Sequence, residues 1–429
     1  MRPVLLKGGR IVDPSQDYDT VGDLLIRSGT IEAIGVGFDA PEEALVLDVS
    51  GRVVAPGLID LHVHLREPGR EDAETVATGA RAATAGGFTS ICAMPNTDPV
   101  TDNQAAVGFI VKQAADARAA RVYPIGAITL GQRGEKLAEF GELVHAGAVA
   151  VSDDGHPVVS SHMMRTALEY ARTFDIPVAD HCEDPTLAAG GVMHEGEVST
   201  RLGLKGIPAA AEEIMVARDV LLAELTGGHV HLCHISTRRS VGLIRSAKER
   251  GVSVTAEATP HHFTLTHSAC EGYDTNAKMN PPLREAPDVE EVRNGLRDGT
   301  LDAIATDHAP HHYEMKERDF DDAPFGVVGL ETALGLGITE LVRKGLLSLG
   351  ELIARMSVVP AKIFHLPGGT LAPGAVADIV VFDPEARTVV ETSDFVSKSH
   401  NTPFVGRELY GVVERTIVGG RSVFVRSGQ

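Results

Sequence analysis

Between about residue 56 and residue 366, short β-branched runs alternate with longer amphipathic segments, and the alternation repeats eight times. Candidate strands begin near Leu58, Phe88, Arg121, Ala148, Ile176, His229, Val252 and Leu301. Helical patterns follow most of them: Asp72 to Ala85, Gln104 to Ala117, Ser161 to Phe174, Ala211 to Leu225 and Ser240 to Arg250. Strands that alternate with helices pair in parallel, and eight such units close into a ring. The predicted fold class is therefore α/β, a (β/α)8 TIM barrel. A doubly wound open sheet is the alternative, but it gathers its chemistry at one switch point. Here polar residues recur at many strand ends.

The two ends of the chain read differently. Residues 1–55 carry strand-like pieces broken by Gly and Asp turns: Val4 to Leu6, Gly9 to Val12, Asp23 to Ile26 and Thr30 to Ile34. Residues 368–429 do the same at Asp378 to Phe382 and Val412 to Val418. Neither end has the apolar surface for a domain of its own. The expectation is one small composite β-domain, a β-sandwich built from 1–55 and 368–429, beside a barrel of 56–367. Two long connections, Thr259 to Pro282 and Ala309 to Gly326, interrupt the barrel pattern; loops of this length tend to carry function.

Composition narrows the partners. A chain of 429 residues with 43% hydrophobic content can bury a large core. A formal charge of −20 argues against nucleic acid or an anionic membrane as partner. The four cysteines, Cys92, Cys182, Cys233 and Cys270, form no CxxC pair and read as reduced core thiols. The start, Met1 to Lys7, lacks the apolar region of a signal peptide, and no apolar run approaches the ~20 residues of a membrane helix. A cytoplasmic protein acting on a small molecule is expected.

The chemistry concentrates at strand ends. In Asp60-Leu61-His62-Val63-His64 the two imidazoles lie on one face of a strand, a two-point clamp for a divalent transition metal. Alone, an HxH is weak evidence. Asp153-Asp154, His181, His234 and Asp307 each end another candidate strand, on the rim where such barrels carry their active sites. Each has an ordinary explanation: a strand-end histidine is commonly a hydrogen-bonded rim residue, Asp153-Asp154-Gly155 reads as a turn, and Asp307 as a helix cap. One binuclear site of four histidines and two carboxylates explains them together. Zinc fits this donor set best, with cobalt or manganese as alternatives.

The same residues resemble the amidohydrolase superfamily, and within it the dihydroorotases of the class I bacterial type. The likeness rests on Pro56 to Gly69 (PGLIDLHVHLREPG), Met94-Pro95-Asn96-Thr97, Val151 to Gly155, Ala305 to His311 and Pro324 to Thr332, and spans essentially the whole chain. It implies that His62, His64 and Asp307 hold one zinc and His181 and His234 the other, with hydroxide and Asp154 bridging. Related cyclic amidohydrolases bridge with a carboxylated lysine, which this chain lacks. The residues themselves do not choose between Asp153 and Asp154; the family motif does.

The resemblance further implies reversible cyclisation of N-carbamoyl-L-aspartate to (S)-dihydroorotate and water in pyrimidine biosynthesis, with Asp307 as general acid and base. Arg66, two residues beyond His64, suits the substrate carboxylate through paired hydrogen bonds, helped by Asn96 and His311. Without an adjacent metal site, Arg66 would read as a surface partner of Glu67 or Glu71. By resemblance, His64, Leu65, Asn280 and the Phe325-Gly326 backbone complete the substrate site. Glu257, Pro260, His261 and His262 read as supporting residues, and His156, His162 and His194 as surface or loop positions. The rivals are another cyclic amidohydrolase (dihydropyrimidinase, hydantoinase or allantoinase) and a catalytically silent scaffold for aspartate carbamoyltransferase. A homodimer is expected, and a transcarbamoylase complex is left open.

Overall fold

The computed structural model describes residues 2–426. The chain opens with β1 (Val4–Asp13), β2 (Tyr18–Arg27), β3 (Thr30–Gly35), β4 (Leu45–Asp48) and β5 (Val53–Pro56). The barrel strands come next: β6 (Leu58–Val63), β7 (Phe88–Ala93), β8 (Arg121–Pro124), β9 (Val151–Ser152) and β10 (Val178–Asp180). A two-strand ribbon, β11 (Met193–His194) and β12 (Gly206–Ile207), precedes β13 (Val230–Leu232), β14 (Val254–Ala258) and β15 (Ala303–Ile304). The chain ends in β16 (Ile379–Val389), β17 (Glu408–Val418) and β18 (Arg421–Val425).

The eight expected barrel strands are all present and parallel. Two ladders, β6-β7-β8 and β9-β10-β13-β14-β15, carry most of the pairing. Gly126 joins them by donating to Ala150 O at 3.0 Å and bridging Val151. On the other side His64 N donates to His308 O at 2.8 Å beside the Val63–His308 bridge. These links close the ring.

Helices pack outside it where the sequence caps them. Asn103 accepts from Ala105 N and Ala106 N to start Gln104–Ala117, and Thr237 accepts from Ser240 N to start Arg238–Glu249. The first helix is shorter than expected and begins at Val76, not near Asp72. Thr75 caps it, and Glu67 Oε2 accepts Val76 N–H, so residues before Thr75 are drawn into the rim loop.

Two apolar layers divide the strands. Val63, Ile91, Val122, Val151, Val178, Leu232, Ala256 and Ile304 join the helices in the main core. Ile59, Leu61, Cys92, Met94, Ile125, Ala150, Ala179, Cys233 and Ala303, drawn from nearly every strand or its flank, form a second cluster that fills the ring. The β6–β7 register slips between Asp60 and Val63, where three steps on one strand face two on the other. A bulge of this kind re-aims side chains.

Both chain ends contribute to one eight-strand sheet in the order β18-β17-β16-β5-β1-β2-β3, with β4 against β1. The pieces expected at Val4–Leu6 and Gly9–Val12 are one strand with an irregularity between Leu6 and Gly9. Strand alternation couples this sheet to the barrel: Val53, Ala55, Val380 and Phe382 join the barrel core, whereas Val54, Ile379 and Val381 pack within the terminal sheet. The connection 390–407 leaves the sheet and lies on the barrel, where Glu331 accepts from Val396 N and Ser397 N. No helix among the described residues is long and apolar enough to cross a membrane.

Candidate metal centre and substrate cavity

His62 and His64 sit at the end of β6, Asp154 just after β9, His181 after β10, His234 after β13 and Asp307 after β15. Ring closure brings all six together. Asp154 lies at the middle: its Oδ1 is 3.4 Å from His62 Nε2, 3.5 Å from His234 Nε2 and 3.7 Å from His181 Nδ1. Its Oδ2 is 3.5 Å from His64 Nε2. Asp307 Oδ1 stands 3.0 Å from His64 Nε2 and 3.6 Å from His62 Nε2. His181 Nδ1 and His234 Nε2 are 3.0 Å apart.

Asp153 faces away. Its carboxylate accepts from Ile128 N at 2.8 Å, Thr129 N at 3.1 Å and the Thr129 hydroxyl, which fastens the turn. Geometry thus selects Asp154 as the carboxylate shared by both histidine pairs.

The donor set fits divalent cations. Donors around a tetrahedral zinc with bonds of ~2.0 Å stand roughly 3.3 Å apart, close to the separations above. His62 Nε2 and Asp154 Oδ1 are buried without a hydrogen-bond partner, as atoms reserved for a cation would be. The opposite ring nitrogens are oriented. His62 Nδ1 donates to Glu257 Oε1 at 3.0 Å and His64 Nδ1 to Asn96 Oδ1 at 2.8 Å, which points each Nε2 into the cluster. Asn280 stands 3.4 Å from His181 Nε2 through its amide nitrogen, while its Oδ1 is buried and unpartnered. An amide turned end for end accepts the Nε2 proton and frees Nδ1 for a cation.

Charge in the cluster is strongly polarised. Burial alone would push the Asp307 carboxyl up, but the His64 hydrogen bond and the imidazoles of His62, His64 and His234 hold it well below the usual carboxylate range. Asp154 is held low in the same way, against burial, chiefly by His62 and His234. Both acids are therefore held in the ionised form that a cation would require of them. Glu257, also drawn down to about 2 against burial by His231 and His62, continues the network inward through His231 Nε2 at 3.0 Å.

Three site residues hold left-handed backbone: Arg66 at φ 61°, His234 at φ 34° and Asp307 at φ 48°. Each costs about 1–3 kcal/mol and persists because packing fixes it, a pattern that collects at functional sites.

A cavity of about 320 Å³ opens over the cluster. His64, Asn96, Asp154, His181, His234, Asn280 and Asp307 line it together with Arg66, His311, Phe325 and Gly326. Leu65 does not join them: its side chain is buried in the main core, where a Cβ on Gly79 would meet its Cδ2 at 2.4 Å. Arg66 makes no ion pair with Glu67 or Glu71, which instead accept Val76 N and Gly69 N. Its Nε donates to Pro310 O at 3.1 Å.

His311 Nε2 donates to Phe325 O at 2.7 Å, while Arg70 Nη2 lies 3.4 Å from its Nδ1. Burial, then Arg66 and Lys316, push the His311 imidazole down to about 2, so it stays neutral. Arg70 was not singled out from sequence; its only signal is a second arginine four residues after Arg66. His194, expected as a surface or loop residue, is buried on β11 with Arg284 Nη1 3.3 Å from its Nδ1. All four cysteines are buried and free, as expected.

Comparison with known proteins agrees with this architecture. A family model described as dihydro-orotase-like matches residues 51–240, and an amidohydrolase family model matches 291–424. A dihydroorotase of Pelotomaculum thermopropionicum is 57% identical over 420 residues, covering 98% of each chain. One of Geobacter metallireducens is 53% identical, covering 99% of this chain and 100% of its own. Among solved structures, the L-hydantoinase (dihydropyrimidinase) of Arthrobacter aurescens superposes with a TM-score of 0.89 at 28% identity, covering 100% of this chain and 97% of its own.

Proposed function

The chain belongs to the dihydroorotase family of the amidohydrolases, and from that membership we propose that its rim cavity interconverts N-carbamoyl-L-aspartate and (S)-dihydroorotate over two zinc ions. One observation carries the reading: Arg66, a guanidinium with no acidic partner among the described residues, lines the same cavity as His64, Asp154, His181, His234 and Asp307, with His62 buried directly behind them. The substrate has the matching parts, an unreactive carboxylate and an amide carbonyl at which water is added or lost.

His62, His64 and Asp307 would hold one zinc, His181 and His234 the other, and Asp154 both. Bound there, the ions supply Lewis acidity and a water acidified toward neutrality. Arg66 takes the carboxylate through its Nη groups, while its Nε stays on Pro310 O. Asn96 and His311 flank it. The Phe325-Gly326 backbone and Asn280 bound the ring, and Leu65 contributes only main chain. Asp307 moves the proton. In hydrolysis it accepts from the attacking water and delivers to the leaving ring nitrogen; in synthesis it returns that proton to the departing hydroxide. One carboxylate serves both directions because acid and base are two states of one group.

The fold likeness to a hydantoinase supports a second reading, hydrolysis of an uncharged cyclic amide. Two features oppose it: an aspartate, not a lysine, stands at the bridging position, and Arg66 is built for an anion. A side-by-side assay with dihydroorotate, dihydrouracil, hydantoin and allantoin, with metal content measured on the same sample, decides between them. Preference for dihydroorotate with about two zinc equivalents is expected. Turnover of the uncharged rings alone, or full activity without metal, overturns the proposal. Cytoplasmic location and a homodimer complete the proposed reading.

A further inference from the structure

One side chain of the connection 390–407 lies beneath the 309–326 loop. Asn401 is 5% exposed, and its whole amide is engaged. Nδ2 donates to Ala309 O at 3.0 Å and Gly326 O at 3.1 Å, and Oδ1 accepts His311 N–H at 3.0 Å. Its own carbonyl accepts Val328 N–H at 2.9 Å. These partners are the two roots of the loop, so a single amide ties both.

The grip reaches the cavity. Ala309 and His311 flank Pro310, whose carbonyl orients Arg66. Gly326 has φ 138°, and a Cβ there would lie 2.8 Å from Ala309 Cβ and 3.0 Å from His311 Nε2. The two roots therefore touch, with no slack between them. Farther along the loop, Lys316 Nζ donates to the carbonyls of Thr275, Lys278 and Pro324, and Lys278 Nζ to those of Phe320 and Asp321. The middle of the loop is thus stitched to the 259–282 connection. Its roots are joined by Ala309 N–H to Val327 O at 2.9 Å and His311 Nε2 to Phe325 O at 2.7 Å, and Asn401 is the side chain that ties both of them to the 390–407 connection.

We infer that Asn401 is a positioning residue for substrate binding: it fixes the main chain that aims Arg66, His311 and Gly326 into the cavity. It does not line the cavity and acts only through those groups. The inference rests on the dihydroorotase reading of the site and adds to it a part of the chain that carries no ligand.

The test compares zinc-loaded Asn401→Ala and Asn401→Asp with Ser399→Ala. Ser399 belongs to the same connection, is buried, and bonds Ala73 O at 2.7 Å away from the cavity. Steady-state kinetics with dihydroorotate are read beside hydrogen exchange of the 309–328 amides. Both Asn401 variants should raise KM about tenfold or more with kcat within about threefold, because buried partners lose their bonds and the effect falls on ground-state binding. The amides of His311 and Val328 should exchange faster. Asp keeps an acceptor for His311 N–H but sets a carboxylate against two carbonyls, so it should do no better than Ala. Ser399→Ala should lower the Tm and leave KM unchanged.

Wild-type KM in the Asn401 variants overturns the inference, and so does an equal KM rise in Ser399→Ala. Should Asn401→Ala fail to fold, Asn401→Ser, which keeps one hydroxyl donor, is judged by the same two readouts. A wild-type enzyme that does not turn over dihydroorotate refutes the functional reading instead. Loop exchange that still accelerates in the Asn401 variants would then separate the two failures.

Discussion

Replacing Arg66 by Met removes the guanidinium and keeps an unbranched chain of similar length. Among the described residues Arg66 has no ion-pair partner; Nε is committed to Pro310 O at 3.1 Å, and Nη2 lies 3.5 Å from His311 Nε2. That second approach is no hydrogen bond, since the Nε2 proton points to Phe325 O. Burial and then Arg70 pull the guanidinium pKa down to about 10, the mark of a cation short of negative charge. A substrate carboxylate supplies it. Charge-assisted hydrogen bonds contribute roughly 1.5–3 kcal/mol, which corresponds to about 10- to 150-fold in binding. The assay is kcat/KM for dihydroorotate and for uncharged dihydrouracil, with zinc measured in both proteins. Dihydroorotate should lose about 10- to 150-fold while dihydrouracil changes by less than about threefold. Equal losses for both substrates would refute the reasoning and reduce Arg66 to a support of the rim loop.

Three other outcomes are expected. Asp307→Asn should lower kcat by about 10²–10⁴-fold while dihydroorotate still binds; near-normal turnover at full metal content removes Asp307 from the proton path. Glu257→Gln, which weakens the acceptor for His62 Nδ1–H, should reduce zinc affinity by about 10- to 100-fold in competition with a chromogenic chelator; unchanged affinity dismisses Glu257 as the orienting group. His194 and His262 are each pushed down to about 4, first by burial, then by Arg284 for His194 and against a hydrogen bond to Pro281 O for His262. Between about pH 6.5 and 4 the unfolded chain binds more protons at these sites, so stability falls as pH falls, by at most roughly 1.4 kcal/mol per unit for each histidine. Thermal unfolding of wild type and His194→Asn at pH 7 and pH 5 checks this. A pH dependence identical in the two proteins counts against it.

The remaining reach of sequence reading is clearest in single residues. The helix Gln104–Ala117 was legible to its last residue because Asn103 caps it and its apolar spacing is local. The helix after β6 was read as beginning near Asp72 because a cap at Thr75 and a bond from Glu67 leave little trace in periodicity. His194 reads as a surface or loop residue because its strand has only two residues, and motif alone draws Leu65 into the site although its side chain packs in the core.

What the sequence determined by itself was the number of strand–helix units and the strand ends at which the candidate ligands sit, with the expectation that both chain ends meet in one composite β-domain. These follow from periods of 2 and 3.6 residues and from turn chemistry, which are properties of neighbouring residues. Beyond the family motif, which already points to Asp154, only tertiary structure shows that Asp154 and not Asp153 meets the histidines, that Arg66 has no carboxylate partner among the described residues, and that Asn401 ties the loop roots. Those outcomes depend on how the ring closes and on which groups then compete for each hydrogen bond. Such competition joins residues as distant as Arg66 and Pro310, or Asn401 and Ala309, and leaves no mark on local pattern.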